Sequence, residues 1–169
     1  LDIERVYEVT DTGAPKTINF TVESIGGVDA KNIVYTGFVS ICTKLKDIIR
    51  AIQENIESYV IFELSNSLMG GVEMKIFNEN HTLGNLLSGF LQDNKINQDI
   101  TYCAYKMPHP LKEEIVIRIS VAERGMMEIS SILDHVKDLV ITQIKEMIQL
   151  FTTMQTQWRS LDSNEYCRE

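Results

Sequence analysis

Three histidines and two glycine pairs are the residues that could bind a metal ion or a phosphate group. Their spacing in the sequence argues against both kinds of site. His81, His109 and His135 form neither an HExxH motif nor an i, i+4 ligand pair, so no zinc site is expected. Gly26-Gly27 and Gly70-Gly71 lack the spacing of a phosphate-binding loop, and no serine stands in a GxSxG turn. The sequence therefore predicts no catalytic, cofactor-binding or metal-binding residues in this chain.

The overall composition excludes several classes of protein. The 169 residues are 44% hydrophobic and 24% charged, an ordinary globular mixture, and the longest apolar runs are too short to span a bilayer. A net charge of −8 argues against nucleic acid as the primary partner, because phosphate contacts need a basic surface. Cys42, Cys103 and Cys167 form no CxxC pair, which indicates a reducing compartment rather than a disulfide scaffold or a zinc ribbon.

The N-terminal part of the sequence predicts one strand followed by one helix. Apolar and polar residues alternate over Ile18–Ser24, which is the period of a half-buried strand, and Gly26-Gly27 ends the pattern. From about Ala30 the apolar residues recur at three and four positions, which predicts an amphipathic helix that ends near Glu57.

The C-terminal part predicts a longer series of elements. Residues 58–71 are interpreted as a connector with room for a short strand at Tyr59–Phe62. The periodicity then predicts, in order, a strand at 72–77, a helix over 83–91 with Thr82 as its N-cap, strands at 98–106 and 115–121, and a long helix over 129–158. This order favours an α+β fold in which small antiparallel sheets carry long helices packed on one face.

The last helix is the longest element, and its apolar stripe indicates a partner helix. At 1.5 Å per residue, about thirty residues extend over roughly 45 Å, more than a small domain covers by itself. The apolar spacing drifts from strict heptads, which favours globular helix packing over a coiled coil.

One combination of motifs goes beyond periodicity. Asn80-His81-Thr82-Leu83-Gly84-Asn85-Leu86-Leu87 follows a strand and opens a helix, Tyr105-Lys106-Met107-Pro108-His109-Pro110 forms a loop, and Trp158 closes the long helix. Together these motifs resemble the α-like assembly subunits of multisubunit DNA-directed RNA polymerases, in particular the eleventh subunit of the eukaryotic enzyme. The resemblance covers residues 72–161, with Ser88 at a position where the family often has arginine.

The first part of the chain has a resemblance of its own. Residues 20–26, which include Val22-Glu23-Ser24, precede a long helix and are similar to the end of the dimerisation domain in the third-largest polymerase subunit. The resemblance implies a third-subunit-like tail at 1–57, the connector at 58–71, an eleventh-subunit-like dimerisation domain at 72–161 and a C-terminal tail at 162–169. Such fusions occur in large cytoplasmic DNA viruses, and the Leu1 start fits the C-terminal piece of a longer polypeptide.

The resemblance implies a non-catalytic role in polymerase assembly. Two α-like domains pair and form the platform that holds the two largest subunits, which carry the catalytic site. The implied partners are those two subunits, the remainder of the third-subunit-like domain and other small subunits, with DNA contacted only indirectly, no membrane and no cofactor. The implied location is the host cytoplasm or the virion for a viral protein, and the nucleus for a cellular one.

The resemblance also implies a set of interface residues. Thr82 would cap the motif helix, Gly84 would allow close backbone approach, and the remaining positions would face a partner or pair the long helix with the first helix. The implied interface residues are Thr82, Leu83, Gly84, Asn85, Leu86, Leu87 and Phe90 on the motif helix, Ile132, Val136, Val140, Ile144, Met147 and Phe151 on the long helix, and Ile41, Leu45, Ile48 and Ile52 on the first helix.

Other interpretations remain open for this sequence. For each apolar position the alternative is an ordinary place in the chain's own core, and at Leu83 and Leu86 the two interpretations are nearly balanced. The chain is alternatively a helical adaptor that binds an unrelated protein, or a small enzyme that uses His81 and His109. If mutation of both histidines abolished turnover without unfolding the chain, the enzyme would be favoured over the assembly subunit and the helical adaptor.

Overall fold

The computed structural model describes residues 9–10, 13, 15–65, 71–92, 99–109, 111–122 and 129–161. The beginning of the predicted third-subunit-like tail, the middle of the predicted connector and the predicted tail at 162–169 lie outside the described residues. The elements in chain order are α1 (Ala30–Gln53), β1 (Val60–Leu64), β2 (Val72–Phe77), α2 (His81–Gln92), β3 (Ile100–Lys106), β4 (Glu114–Val121) and α3 (Ile129–Ser160).

The strands form one antiparallel sheet in the order β1-β2-β4-β3. Side chains alternate across it, so one face of the two central strands is fully buried. The buried set comprises Val72, Met74 and Ile76 on β2 and Ile115, Ile117 and Ile119 on β4. The helices cover this face, and the α+β prediction with long helices on one side of an antiparallel sheet is confirmed.

Asp29 and Asn55 mark the two ends of α1. The Asp29 carboxylate accepts a hydrogen bond from the Lys31 backbone N–H at 3.0 Å and caps the first turn. The helix ends at Gln53 rather than near Glu57, because Asn55 adopts a left-handed backbone conformation with φ of 51°.

α1 and α3 lie antiparallel over the sheet. Phe38 of α1 packs on Phe151 of α3 with ring centroids 6.2 Å apart, and Lys31 lies beside Trp158. At the opposite end, Ile52 of α1 and Lys137 of α3 line the same depression. The long apolar stripe of α3 is therefore covered, over much of its length, by a helix of the same chain.

The strand predicted over Ile18–Ser24 does not form, and this prediction is wrong. The described backbone from 17 to 25 belongs to no strand, and Phe20 remains 86% exposed. A strand is stabilised by hydrogen bonds to a neighbouring strand and by one buried face. None of the described strands pairs with this segment, so the described part of the chain supplies no neighbouring strand for its alternating pattern.

The predicted connector contains an element of the sheet. β1 lies inside residues 58–71 and pairs along its whole length with β2, with Val60 opposite Ile76. The short strand predicted at Tyr59–Phe62 is thus present, one residue later and somewhat longer. The assignment of separate domains on either side of the connector stays a prediction.

Candidate functional site

The first turn of α2 carries the HTLGN motif and is capped by Asn80. The Asn80 side-chain oxygen accepts a hydrogen bond from the Thr82 backbone N–H at 3.0 Å. The prediction of Thr82 as the N-cap is wrong, because the helix already begins at His81 and Asn80 therefore occupies the capping position. The Thr82 side chain is exposed, as is that of Asn85 one turn later.

Gly84 is required by a close contact with the sheet. A Cβ at this position would lie 2.5 Å from Cδ2 of Tyr105 on β3. The close neighbour observed at Gly84 is a ring of the same chain, and a close approach to another subunit stays a prediction. His81 Nδ1 lies 3.2 Å from the Tyr105 hydroxyl, with the two rings edge to face, so Tyr105 contacts the motif helix at two successive turns.

The predicted apolar interface residues lie in one contiguous core. Leu83 and Leu87 are buried on α2, while Leu86 and Phe90 are half-buried and pack against the same cluster. The buried members of the predicted set on the two long helices are Leu45, Ile48, Ile52, Val136, Val140, Ile144, Met147 and Phe151, with Ile41 and Ile132 partly buried beside them. The predicted pairing of these two helices is observed within the chain, and the contact of any of these residues with another subunit stays a prediction.

A buried carboxylate ties α1 to the turn that precedes α2. Glu79 is only 4% exposed, and its two oxygens accept hydrogen bonds from Lys44 Nζ at 2.7 Å and from the Tyr59 hydroxyl at 3.0 Å. Burial, and then the nearby Glu79 charge, raise the pKa of Tyr59 well above its usual value, so the phenol remains a hydrogen-bond donor. Sequence reasoning missed this contact, because Glu79 has the appearance of a turn residue and Lys44 that of a solvated helix face.

Polar and aromatic contacts join the far ends of the two long helices. Trp158 Nε1 donates to the Lys31 carbonyl at 2.9 Å, and the Lys31 ammonium donates to the Leu161 carbonyl. The Arg159 guanidinium lies 4.5 Å from the centre of the Tyr35 ring, a cation–π contact. Trp158 therefore joins the last turns of α3 to the first turn of α1.

The face of the sheet opposite the helices carries paired charges. Arg118 donates to Glu73 across β4 and β2 at 2.6 Å, and Lys75 donates to Glu63 across β2 and β1 at 2.6 Å. The Arg118 hydrogen bond lowers the pKa of Glu73, and burial partly opposes this shift. The Glu63 hydrogen bond raises the pKa of Lys75. These cross-strand pairs neutralise charged side chains on the face that the described helices leave uncovered.

The described part of the chain contains no cluster of metal-ligating side chains. No group of three or more histidine, cysteine, aspartate or glutamate side chains comes together there in a way that could hold a metal ion. Burial raises the pKa of Cys103 to about 12, which keeps its thiol protonated and unreactive. Cys42 is also a buried free thiol, and Cys167 lies outside the described residues. Among the described helices, none has both the length and the apolar character needed to cross a bilayer.

Comparison with known families matches the elements just described. The family model of the RNA polymerase Rpb3/Rpb11 dimerisation domain matches residues 71–157. This range is just over half of the chain and runs from β2 almost to the end of α3. The chain belongs to this family. The predicted resemblance to α-like polymerase assembly subunits is thereby confirmed at the level of the family.

Individual relatives point in the same direction. The subunit Rpo11 of the DNA-directed RNA polymerase of Metallosphaera sedula is 46% identical over 48 residues, which are 28% of this chain and 50% of the relative. Rpo11 of Sulfolobus acidocaldarius is 32% identical over 96 residues, or 54% of this chain and 99% of the relative. The chain spans about half the length of the first of these relatives and nearly all of the second.

The family match leaves α1 and β1 outside its limits. Both elements precede residue 71, yet α1 packs along α3 and β1 pairs with β2. The dimerisation-domain elements and the helix that lies against them are therefore present in one polypeptide.

Proposed function

We propose that this chain is a non-catalytic assembly subunit of a DNA-directed RNA polymerase, part of the α-like platform that holds the two largest subunits. The packing of α1 along α3 carries this proposal. α3 is the long helix through which the resemblance implies pairing, and its apolar stripe is covered by a helix from outside the matched domain. The catalytic residues lie in other chains in this proposal.

In the same proposal, α1 is the last helix of a third-subunit-like half that is fused to the eleventh-subunit-like half. Residues 18–25 support this origin, because an alternating apolar segment exposed to water is typical of a strand separated from its sheet. The remainder of the third-subunit-like domain would supply that sheet. For a viral fused protein, we propose the host cytoplasm or the virion as its location, and for a cellular one the nucleus.

Affinity purification of the tagged chain from its native source tests the assembly role. We expect the two largest polymerase subunits to remain bound at high salt and to be identified by mass spectrometry. Recovery of the chain alone would contradict the proposal, and recovery of an unrelated protein would favour the helical adaptor.

A surface variant sharpens this experiment. Asn85 is exposed on the motif helix, where the resemblance implies a contact with another subunit. Asn85→Arg is expected to lower recovery of the large subunits at least tenfold, which corresponds to about 1.4 kcal/mol of binding free energy. Gln149→Arg makes the same charge change at an exposed position of α3 and is expected to leave recovery unchanged.

A further inference from the structure

The ion pair between Lys44 and Glu79 differs in kind from the contacts around it. The neighbouring α1 residues Leu45 and Ile48 are fully buried in the apolar core. Apolar packing favours burial but discriminates weakly between similar helices or between neighbouring registers. A buried carboxylate discriminates strongly between helices and between registers, because its burial is costly unless a cation and hydrogen-bond donors face it.

The sequence of α1 offers one cation to this carboxylate in the observed register. A slip by one helical turn would replace Lys44 at Glu79 with Ser40 or Ile41 in one direction and with Asp47 or Ile48 in the other. None of these four side chains carries a positive charge, and Asp47 would repel the carboxylate. Tyr59 donates the second hydrogen bond to Glu79 from the segment between α1 and β1, so the position of the carboxylate is fixed from a second direction.

We propose that Glu79, with Lys44 and Tyr59, determines which helix docks on the dimerisation domain and in which register. The recognised partner is a helix that presents a lysine between apolar positions that face α3 and the sheet. This inference rests on the proposed function only in treating α1 as the pairing helix of the third-subunit-like half. The register is a property of the isolated chain, so the experiments below give a result whether or not the large subunits are recovered.

Charge reversal in the full chain tests the contact. Lys44→Glu and Glu79→Lys are each expected to lower the thermal unfolding midpoint by about 10 °C. The double variant Lys44→Glu/Glu79→Lys is expected to recover at least half of that loss, because the pair is restored with its charges exchanged. Lys46→Glu makes the same charge change at an exposed position of α1 and is expected to leave the midpoint unchanged.

A cross-link between the helices reports their register independently of stability. Gln155 Nε2 of α3 lies 3.4 Å from the Cys42 sulfur of α1. With Gln155→Cys, and with Cys167→Ser in every variant, a short bifunctional thiol reagent whose spacer replaces the lost length of the glutamine side chain is expected to join position 155 to native Cys42. Lys44→Glu and Glu79→Lys each remove the oppositely charged pair, and each is expected to lower the yield of this cross-link at least fivefold. The double reversal is expected to restore it.

Milder variants keep the test decisive if a charge reversal prevents folding. Lys44→Met retains the apolar stem without the charge, and Tyr59→Phe removes only the second donor to Glu79. We expect a lower cross-link yield in both, with the larger loss for Lys44→Met. An unchanged yield in Lys44→Met, or a double reversal no more stable than the single ones, would overturn the proposal, because the other contacts between α1 and α3 would then set the register.

Discussion

At the scale of single residues, the two glycines of α2 make opposite predictions. Gly84→Ala places a Cβ against the Tyr105 ring, and we expect it to lower the free energy of unfolding by about 1–3 kcal/mol. Gly89 has nothing within 4 Å of an added Cβ, so Gly89→Ala is expected to raise it by about 1 kcal/mol through helix propensity. Urea denaturation of both variants measures the difference. Equal effects would contradict the role of the Tyr105 contact.

The Glu73–Arg118 pair predicts a contribution to stability that depends on pH. The pKa of Glu73 in the folded protein lies below its ordinary value of 4.5, chiefly because Arg118 donates to the carboxylate. The folded state therefore binds fewer protons than the unfolded state as the pH falls below 4.5, and the stabilisation present above that pH is lost through the lowered pKa.

The variant Glu73→Gln tests this dependence. It is expected to be less stable than the parent chain at pH 7 and to lose less stability on acidification, as measured by urea denaturation at a series of pH values. Glu57→Gln, at an exposed position, serves as the control and is expected to follow the parent curve. Parallel curves for all three proteins would rule out a contribution from the pair.

At the scale of elements, the packing of α1 on α3 predicts which apolar side chains of α1 can be replaced by alanine at little cost in stability. Ile48 is fully buried, and Ile48→Ala is expected to lower the free energy of unfolding by about 2–5 kcal/mol. Ile33 is 40% exposed on the same helix, and Ile33→Ala is expected to cost well under half as much. Trp158 is the chain's one tryptophan and contacts Lys31, so its fluorescence reports undocking of the two helices directly.

At the scale of the whole molecule, residues 17–28 are expected to add little to the stability of this chain alone. Residues 17–28 are exposed, and Asp29 caps α1 from beyond them. Replacement of the exposed Phe20 and Val22 by serine is therefore expected to leave the unfolding temperature of the chain unchanged. A drop of more than a few degrees would show that the segment packs on the rest of the molecule.

The same segment predicts a gain of structure in a longer polypeptide. With the proposed third-subunit-like half attached, amide hydrogens over Ile18–Ser24 are expected to exchange much more slowly, because a partner strand would accept and donate their hydrogen bonds. Phe20→Asp would remove an apolar residue from the buried face and is expected to reverse this protection. Unchanged exchange in the longer protein would contradict the proposed strand.

Local patterns were sufficient to predict most elements of this protein. The period of two at 72–77 and 115–121, and the helical spacing from Ala30 and from Ile129, predicted β2, β4, α1 and α3 close to their observed limits. The HTLGN motif also indicated the family that residues 71–157 match. These features depend on side chains close in sequence, where backbone propensity and amphipathic period act directly.

Only the tertiary structure decided the features that join distant residues. The alternation at Ile18–Ser24 predicted a strand that does not form, because a strand needs a neighbour that local sequence cannot supply. The Gly84–Tyr105 contact and the Glu79–Lys44 pair join residues far apart in the chain, and neither partner signals the other. The sequence by itself determined most of the elements and the family, and the resemblance implied that the first helix pairs with the last. The tertiary structure decided that Glu79 is buried against Lys44 and that Tyr105 packs on Gly84, because such contacts are properties of the assembled core.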